Sequence, residues 1–155
     1  MKSLQATDIV PHGVLIKIAN RIANSARGFA RGTGSKRIPK SIKVGNVSAT
    51  QSTASITIWI DTTIAPQAMI FEKGAKPHPI DAKNAPYLVF NGTNGFPLEN
   101  PGGIIQTKHV NHPGMEKRPF LQPAKDKHRE QNKAELREVA GRNIRLVIRG
   151  MARKI

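Results

Sequence analysis

A strict alternation of apolar and polar residues at 53–60 constrains the fold of this chain more than any other feature. Isoleucine occupies every second position in the last part of this segment, so one side of an extended chain is apolar and the other polar. Such a period-two pattern with β-branched residues is typical of a strand. Residues 40–47 alternate more weakly, and the polar stretch 48–52 joins the two segments. The pattern therefore predicts an antiparallel hairpin.

A second hairpin is predicted further along the chain. The apolar segment 87–90 and the segment 104–110 both have the composition of strands. The stretch 91–103 between them is rich in glycine, proline and asparagine, which predicts a loop. Residues 64–73 are compatible with a short helix after Pro66 or with extended chain, and both alternatives stay open.

Amphipathic helices are predicted at both ends of the chain. Residues 8–29 repeat apolar side chains at three- and four-residue steps, with Asp8 as the N-cap and Pro11 in the first turn. Residues 123–150 have a broad apolar face, with acidic residues in the first half and arginines in the second, which suits the helix dipole. Residues 30–39 combine glycine, serine and basic side chains without periodicity and predict a flexible basic loop.

The predicted order of elements is helix, hairpin, hairpin, helix. Antiparallel strands with separate helices predict an α+β fold, with an N-terminal helix, an antiparallel sheet of two hairpins and a long C-terminal helix. The length of 155 residues fits a single domain over 1–155. Because no βαβ unit is predicted, no Rossmann-type nucleotide site is expected.

The charge of the chain is strongly basic and unevenly distributed. Twenty-five lysines and arginines against 10 acidic residues give a net charge of +15. No acidic residue lies between Asp8 and Asp61, and none follows Glu138. Such basic ends favour contact with a polyanion or with acidic neighbouring subunits, and the alternative is a solvated surface. The residues predicted to make this contact are Arg27, Arg31, Lys36, Arg37, Lys40, Arg145, Arg149 and Arg153.

Residues suited to enzyme chemistry are sparse. The chain has no cysteine, which excludes disulfides, a thiolate nucleophile and cysteine-ligated metals. Residues 32–36 lack the spacing of a phosphate-binding loop and follow no apolar strand. His78, His109 and His112 are candidate metal ligands, but no carboxylate or cysteine is placed to complete a zinc site. We therefore predict that the chain is not an enzyme and has no catalytic residue, no metal and no cofactor.

Membrane and sequence-reading roles are also disfavoured. No apolar run approaches the ~20 residues that a membrane span needs. The N-terminus lacks the apolar segment of a signal peptide. No zinc-finger spacing, homeodomain-like pattern or aromatic RNA-binding strand is present. Contact with nucleic acid would therefore be made through phosphates, independently of sequence.

Two segments resemble a known family. The first is 65–74, which contains Glu72-Lys73-Gly74, followed by 79–85 and by Leu88-Val89-Phe90. The second, 110–124, is the more specific, with a His-Pro-Gly sequence followed by Pro-Phe-Leu-x-Pro-Ala. It comprises His112, Pro113, Gly114, Pro119, Phe120, Leu121, Pro123 and Ala124. In these residues the chain resembles the neck or tail-completion proteins of long-tailed bacteriophages, a family of minor tail components.

The resemblance implies a structural virion protein that forms a homo-oligomeric ring at the head–tail junction, completes the tail and joins it to the head. The implied partners are further copies in a ring of sixfold or twelvefold symmetry, head-closure or connector proteins, the tail terminator, the tail tube and, non-specifically, genomic DNA. The implied location is the virion, after assembly in the host cytoplasm. Two alternatives stay open: a tail terminator ring that caps the tail tube, and a basic protein that binds nucleic acid non-specifically.

The motif residues also predict local structure without the family. Pro113 and Gly114 favour a turn after a strand. Pro119 and Pro123 flank an apolar pair, so Phe120 and its neighbour are expected to be held at the start of the last helix, in the manner of a hydrophobic staple. Phe120 is therefore expected in the core.

Overall fold

The computed structural model describes residues 6–91 and 104–152, and it confirms the α+β class. The chain divides into two compact units. The first unit comprises Met1–Lys73 and Lys117–Ile155, and the second is the intervening segment Gly74–Glu116. That the two units act as a single domain stays a prediction.

The first unit contains helices and one hairpin. Its described helices are α1 (Ala6–Ile9), α2 (His12–Arg31), α3 (Ile38–Ser41), α4 (Ala68–Lys73), α5 (Leu121–Lys127) and α6 (Arg129–Ala152). Its hairpin pairs β1 (Ile42–Ala49) with β2 (Ala54–Ile60) in antiparallel register. Of the two alternatives for residues 64–73, the short helix after Pro66 is confirmed as α4.

The predicted first hairpin is confirmed. Alternate residues of β2 are half-buried and exposed, as its period-two pattern requires. Thr50 and Thr53 close the turn, with the Thr50 N–H donating to the Thr53 carbonyl at 2.7 Å. The register of the ladder shifts between Val44 and Val47, where Gly45 and Asn46 interrupt the alternation of β1.

The N-terminal helix differs from its prediction at Pro11. The helix is broken there: α1 ends at Ile9, Pro11 is extended (φ −58°, ψ 146°), and α2 begins at His12. Asp8 lies inside α1, so its assignment as N-cap of one helix over 8–29 is wrong. The physical reason is that proline lacks an N–H and drives the preceding residue out of the helical region.

The segment 30–39 is not a loop throughout, which corrects its prediction at both ends. Helix α2 continues to Arg31, and α3 begins at Ile38. Ile38 is fully buried, and this burial holds α3 against the core. Between the helices the chain turns through Gly34, whose φ of +78° suits glycine.

The C-terminal helix also differs from the predicted single span over 123–150. It begins two residues earlier, at Leu121, and is interrupted at His128, which has φ −107° and ψ 4°. The His128 ring contacts the Ser25 hydroxyl of α2 at 2.7 Å. Ser25 and His128 are far apart in the sequence, so no local pattern could predict this contact at the interruption.

The second unit contains four described strands: β3 (His78–Asp81), β4 (Leu88–Asn91), β5 (Ile104–Thr107) and β6 (His109–His112). Strand β4 pairs with β5, which is the predicted second hairpin, and β3 pairs with β6. The segment 104–110 is thus two strands that part at Lys108, and β3 was not predicted. Except for Asn91, the predicted loop 91–103 lies outside the described residues. The described strands form three two-stranded antiparallel ladders.

The core lies in the first unit, where α2 meets the hairpin, α3 and α5. Small side chains on α2 allow the close approach, and Phe120 supplies the largest fully buried side chain. The buried cluster consists of Ala23, Ala26, Ala30, Ile38, Ile42, Ala65, Ala68, Phe120 and Ala124.

Candidate functional site

The resembling segments meet at the start of α5. The Glu72 carboxylate, at the end of α4, accepts the backbone N–H groups of Phe120 at 2.7 Å, Leu121 at 3.1 Å and Gln122 at 3.4 Å. The Phe71 carbonyl accepts the N–H of Arg118 at 2.7 Å. The first N–H groups of a helix have no partner within it, and a carboxylate is favoured at this positive end. Glu72 therefore caps α5 from another helix.

The apolar residues of the motif lie where the sequence predicted. Phe120 is fully buried, and Leu121 packs against the same cluster. Pro119 and Pro123 are half-buried on either side. Ala124 is also fully buried, so the start of α5 is anchored by side chains as well as by the Glu72 cap.

One glycine from each resembling segment lies beside a second contact, the pairing of Ala75 with Met115. Gly74 has a φ of +77° and Gly114 a φ of +84°, a region that favours glycine. Immediately after each of them, Ala75 and Met115 pair through two hydrogen bonds of 2.9 and 2.8 Å. A Cβ atom on Gly114 would clash with the Ala75 carbonyl oxygen, so only glycine allows the two backbones to approach this closely.

The histidine of the His-Pro-Gly sequence holds the same turn. The Nδ1 atom of His112 accepts the N–H of Gly114 at 3.0 Å, while Pro113 is exposed. The His112 ring stacks on the His78 ring, with centroids 5.0 Å apart. His112 thus contributes to the strand-to-turn geometry, which is a structural use of the imidazole.

The third candidate ligand, His109, binds a carboxylate. Its Nδ1 atom lies 2.6 Å from Asp81 and its Nε2 atom 3.1 Å from Asn111. The hydrogen bond to Asp81 raises the pKa of His109 above its ordinary value, and the bond to Asn111 acts in the same direction. Within residues 6–91 and 104–152, no group of three or more histidine and acidic side chains could hold a metal.

The structure brings together four of the predicted basic residues. Arg27 and Arg31 on α2, with Lys36 and Lys40 around the start of α3, line a cavity of about 630 Å³ together with Gly34, Ser35 and Pro39. We call it the basic cavity. Its side chains of one charge converge on one space, which is the arrangement that binds an anion.

The other predicted basic residues do not line this cavity. Arg37 is exposed beside it, and Arg145 and Arg149 are exposed on α6. Arg153 lies outside the described residues. The basic residues predicted as one functional group are thus divided between a cavity and an exposed helix.

Helices α2 and α6 are joined by a network of charges. The Glu135 carboxylate accepts hydrogen bonds from Lys17 at 2.8 Å and Arg21 at 2.7 Å, and Arg21 also donates to Asn132 at 2.5 Å. Asn132 is buried, and the side chains of Arg21 and Glu135 are about one-fifth exposed. The bonds from Lys17 and then Arg21 lower the pKa of Glu135 below its ordinary value of 4.5.

Replacing Glu135 by glutamine is expected to lower the free energy of unfolding at pH 7 by about 1–3 kcal/mol, because Arg21 loses its charged partner. A lowered carboxylate pKa adds stability above pH 4.5 that is lost as pH falls through the lowered value. The difference between wild type and Glu135→Gln should therefore shrink below pH 4.5. Urea unfolding across pH measures it. Glu138→Gln, which breaks an exposed pair with Arg142, is the control and should cost about 0.3–0.5 kcal/mol.

Comparisons with models of protein families, with curated proteins and with solved structures find no match to this chain.

None of the described helices is both long enough and apolar enough to cross a bilayer.

Two elements of this site were not predicted from the sequence. Glu72 belongs to one of the resembling segments, but its role as the cap of α5 could not be assigned because the partners are about 50 residues apart. Residues 32–36 were predicted as part of a flexible basic loop, whereas the turn places Lys36 with Arg27 and Arg31. The sequence signal for the cavity was the stretch without acidic residues. This stretch indicates a positive charge, but it does not show that these basic side chains line one cavity.

Proposed function

We propose that this chain is a structural virion protein of a long-tailed phage, which assembles into a homo-oligomeric ring at the head–tail junction, completes the tail and joins it to the head. The observation that carries the proposal is the corner made by the resembling segments, in which Glu72 holds the backbone of Phe120 and Leu121. The residues that carry the resemblance build the fold at this corner. A structural role for the residues that carry the resemblance is what we expect of a protein that functions by assembly.

Exposed apolar side chains on α6 support an assembly role. Ile144 is 42% exposed, and Leu146 and Ile148 are each 59% exposed. Large apolar side chains grouped on one exposed helix segment are typical of surfaces that bind another protein. The neighbouring Arg145 and Arg149 would face acidic groups of that partner.

The second unit offers a further contact surface. Val89 on β4 is 63% exposed, and Ile104 on β5 is 71% exposed. A two-stranded ladder is marginally stable by itself. A neighbouring copy that covers this ladder would stabilise it. Head-to-tail contacts of this kind form a closed ring when the rotation that relates neighbouring copies divides a full turn evenly.

The partners in this proposal are copies of the chain in a ring of sixfold or twelvefold symmetry, the head-closure or connector proteins, the tail terminator and the tail tube. The closely related alternative is a tail terminator ring that caps the tube. Genomic DNA would be a non-specific partner where it passes the ring. In this proposal the chain has no catalytic role.

A second candidate function is that of a basic protein that binds nucleic acid outside any virion. The basic cavity is the observation that favours it, because four cationic side chains meet there. This candidate requires no ring and no neighbouring virion protein.

Native mass spectrometry and negative-stain imaging of the purified chain separate the two candidates. The neck proposal predicts a defined ring, with a mass that is a multiple of 16.9 kDa, in the absence of DNA. Replacing Ile144 and Ile148 by serine should shift the mass towards smaller species without unfolding the monomer, since both side chains are exposed. A monomer that shifts DNA with a steep salt dependence would favour the second candidate.

A further inference from the structure

We propose that the basic cavity binds phosphate groups of a nucleic-acid backbone without reading the base sequence. The cavity lies where α2 ends and α3 begins, and its cations are Arg27, Arg31, Lys36 and Lys40. This inference rests on the non-specific nucleic-acid contact proposed above and assigns a site to it, and it holds for the protein inside or outside a virion.

Within the part of the chain that the structure describes, no acidic side chain neutralises the charge around the cavity. No acidic residue occurs between Asp8 and Asp61. Among residues 6–91 and 104–152, no carboxylate pairs with the cations of the cavity. Cations that converge without counter-charge repel one another, and a bound anion relieves that repulsion.

Two groups of the cavity are held in position before any ligand binds. The Arg27 guanidinium donates to the Asn24 side chain and to the Ile42 carbonyl, each at 2.8 Å. The Ser35 hydroxyl oxygen accepts from the Arg37 N–H at 3.3 Å and from the Gln67 amide at 3.5 Å. Because both bonds use the oxygen as acceptor, the hydroxyl proton is available to donate to a phosphate oxygen.

The cavity has room for such groups. Its volume of about 630 Å³ lies within the range of small-molecule sites, which is about 300–1,000 Å³. Gly34, which lines it, has no atom within 4 Å of the position where a Cβ would stand, so the backbone there is open to close approach.

The chemistry of the lining favours a phosphodiester over an acidic peptide. Duplex DNA carries one negative charge per ~1.7 Å of helix axis, so several cations in one cavity can each meet a different phosphate of the backbone. A guanidinium binds phosphate oxygens with two parallel hydrogen bonds, and the lysines add point charge. An acidic peptide presents single charges on separate flexible side chains, which the compact cavity matches less well.

Fluorescence anisotropy of a labelled 30-base-pair duplex, titrated with the full chain at several salt concentrations, tests the proposal. The variant Arg31→Gln/Lys36→Gln/Lys40→Gln removes three cations of the cavity and leaves Arg27 in place. Its matched control is Lys83→Gln/Lys117→Gln/Lys125→Gln, which changes the net charge equally at exposed positions. Thermal melts and native masses of both variants verify that fold and assembly are kept.

We expect wild type to bind the duplex with an affinity that falls steeply with salt. The cavity variant should bind at least ~10-fold more weakly at low salt, with a slope of log K against log salt that is smaller by about 2–3, since each lost phosphate contact removes ~0.9. The control should keep nearly the whole slope. If the triple variant unfolds, Lys36→Gln/Lys40→Gln should lose about 2 units of slope.

Three results would overturn the proposal. They are wild type that leaves the duplex unbound, an equal loss of slope in the two triple variants, and tighter binding of a polyglutamate peptide of matched charge than of the duplex. The last result would assign the cavity to an acidic protein segment. These results concern binding to the duplex and do not bear on the mass of the ring. Failure of the cavity proposal can therefore be distinguished from failure of the neck proposal.

Discussion

Replacing Phe120 by alanine is expected to lower the free energy of unfolding by about 3–5 kcal/mol. Phe120 is fully buried and has the largest side chain at the centre of the core. Removing its ring leaves a cavity among side chains that are mostly alanine and cannot reach to fill it. Chemical denaturation followed by circular dichroism measures the effect.

The matched control for this prediction is Phe29→Ala. Phe29 is 42% exposed on α2, and the Lys127 Nζ atom lies 5.8 Å from the centroid of its ring in a cation–π interaction. Its removal should cost no more than about 1 kcal/mol. If Phe120→Ala and Phe29→Ala were equally stable, Phe120 would not anchor the corner between α4 and α5, and the structural interpretation of the motif would fail.

The second large effect is expected for Gly114→Ala, which should destabilise the protein by more than about 2 kcal/mol. An alanine Cβ would clash with the Ala75 carbonyl oxygen and would lie 2.9 Å from backbone atoms of Lys76 and Pro77. The left-handed φ of +84° adds about 1–2 kcal/mol for a residue with a side chain. The N–H of Ala75 donates to the Met115 carbonyl, and the Ala75 carbonyl accepts the N–H of Met115. The backbone of Ala75 therefore cannot move away without breaking these two hydrogen bonds.

Hydrogen exchange locates this effect, and Gly141→Ala is its control. In Gly114→Ala, the amides of β3 and β6 should lose protection before those of the first unit, since the clash lies in the second unit. Gly141 lies in α6 with open space around its Cβ position, so alanine there should stabilise by up to ~1 kcal/mol. Opposite signs for the two substitutions are expected. Equal, small effects would contradict the close approach at Gly114.

The elements that the sequence predicts well are those with a long local period. The isoleucines of β2 alternate over the whole strand, and the apolar residues of α2 repeat along the whole helix, so neither depends on a distant partner. Their bounds were less predictable. The break at Pro11 and the interruption at His128 depend on one proline and on one contact with Ser25.

The second unit was harder to predict because its order is set by pairing between distant residues. Strand β3 contains Pro79, which argues against a strand, and it is tolerated because both strands of a two-stranded ladder are edges. The segment 104–110 looks continuous, yet its halves pair with different partners on either side of Lys108. Nothing local distinguishes these pairings.

The candidate site shows the same division. The burial of Phe120 followed from an apolar pair between prolines, whereas the cap supplied by Glu72 depends on a residue 48 positions away. The run of basic residues was evident in the sequence, but the convergence of Arg27, Arg31 and Lys36 on one cavity depends on the turn at Gly34. Charge can be read from composition, and its geometry cannot.

The neck proposal is tested most directly by electron cryo-microscopy of virions produced from the genome that encodes this chain, with the head–tail junction resolved. The proposal predicts a ring at that junction into which the helices α2 and α6 and the corner at Glu72 and Phe120 fit, with copies in contact through exposed apolar surfaces. A junction whose density is fully occupied by other proteins, or particles that lack the chain, would contradict it.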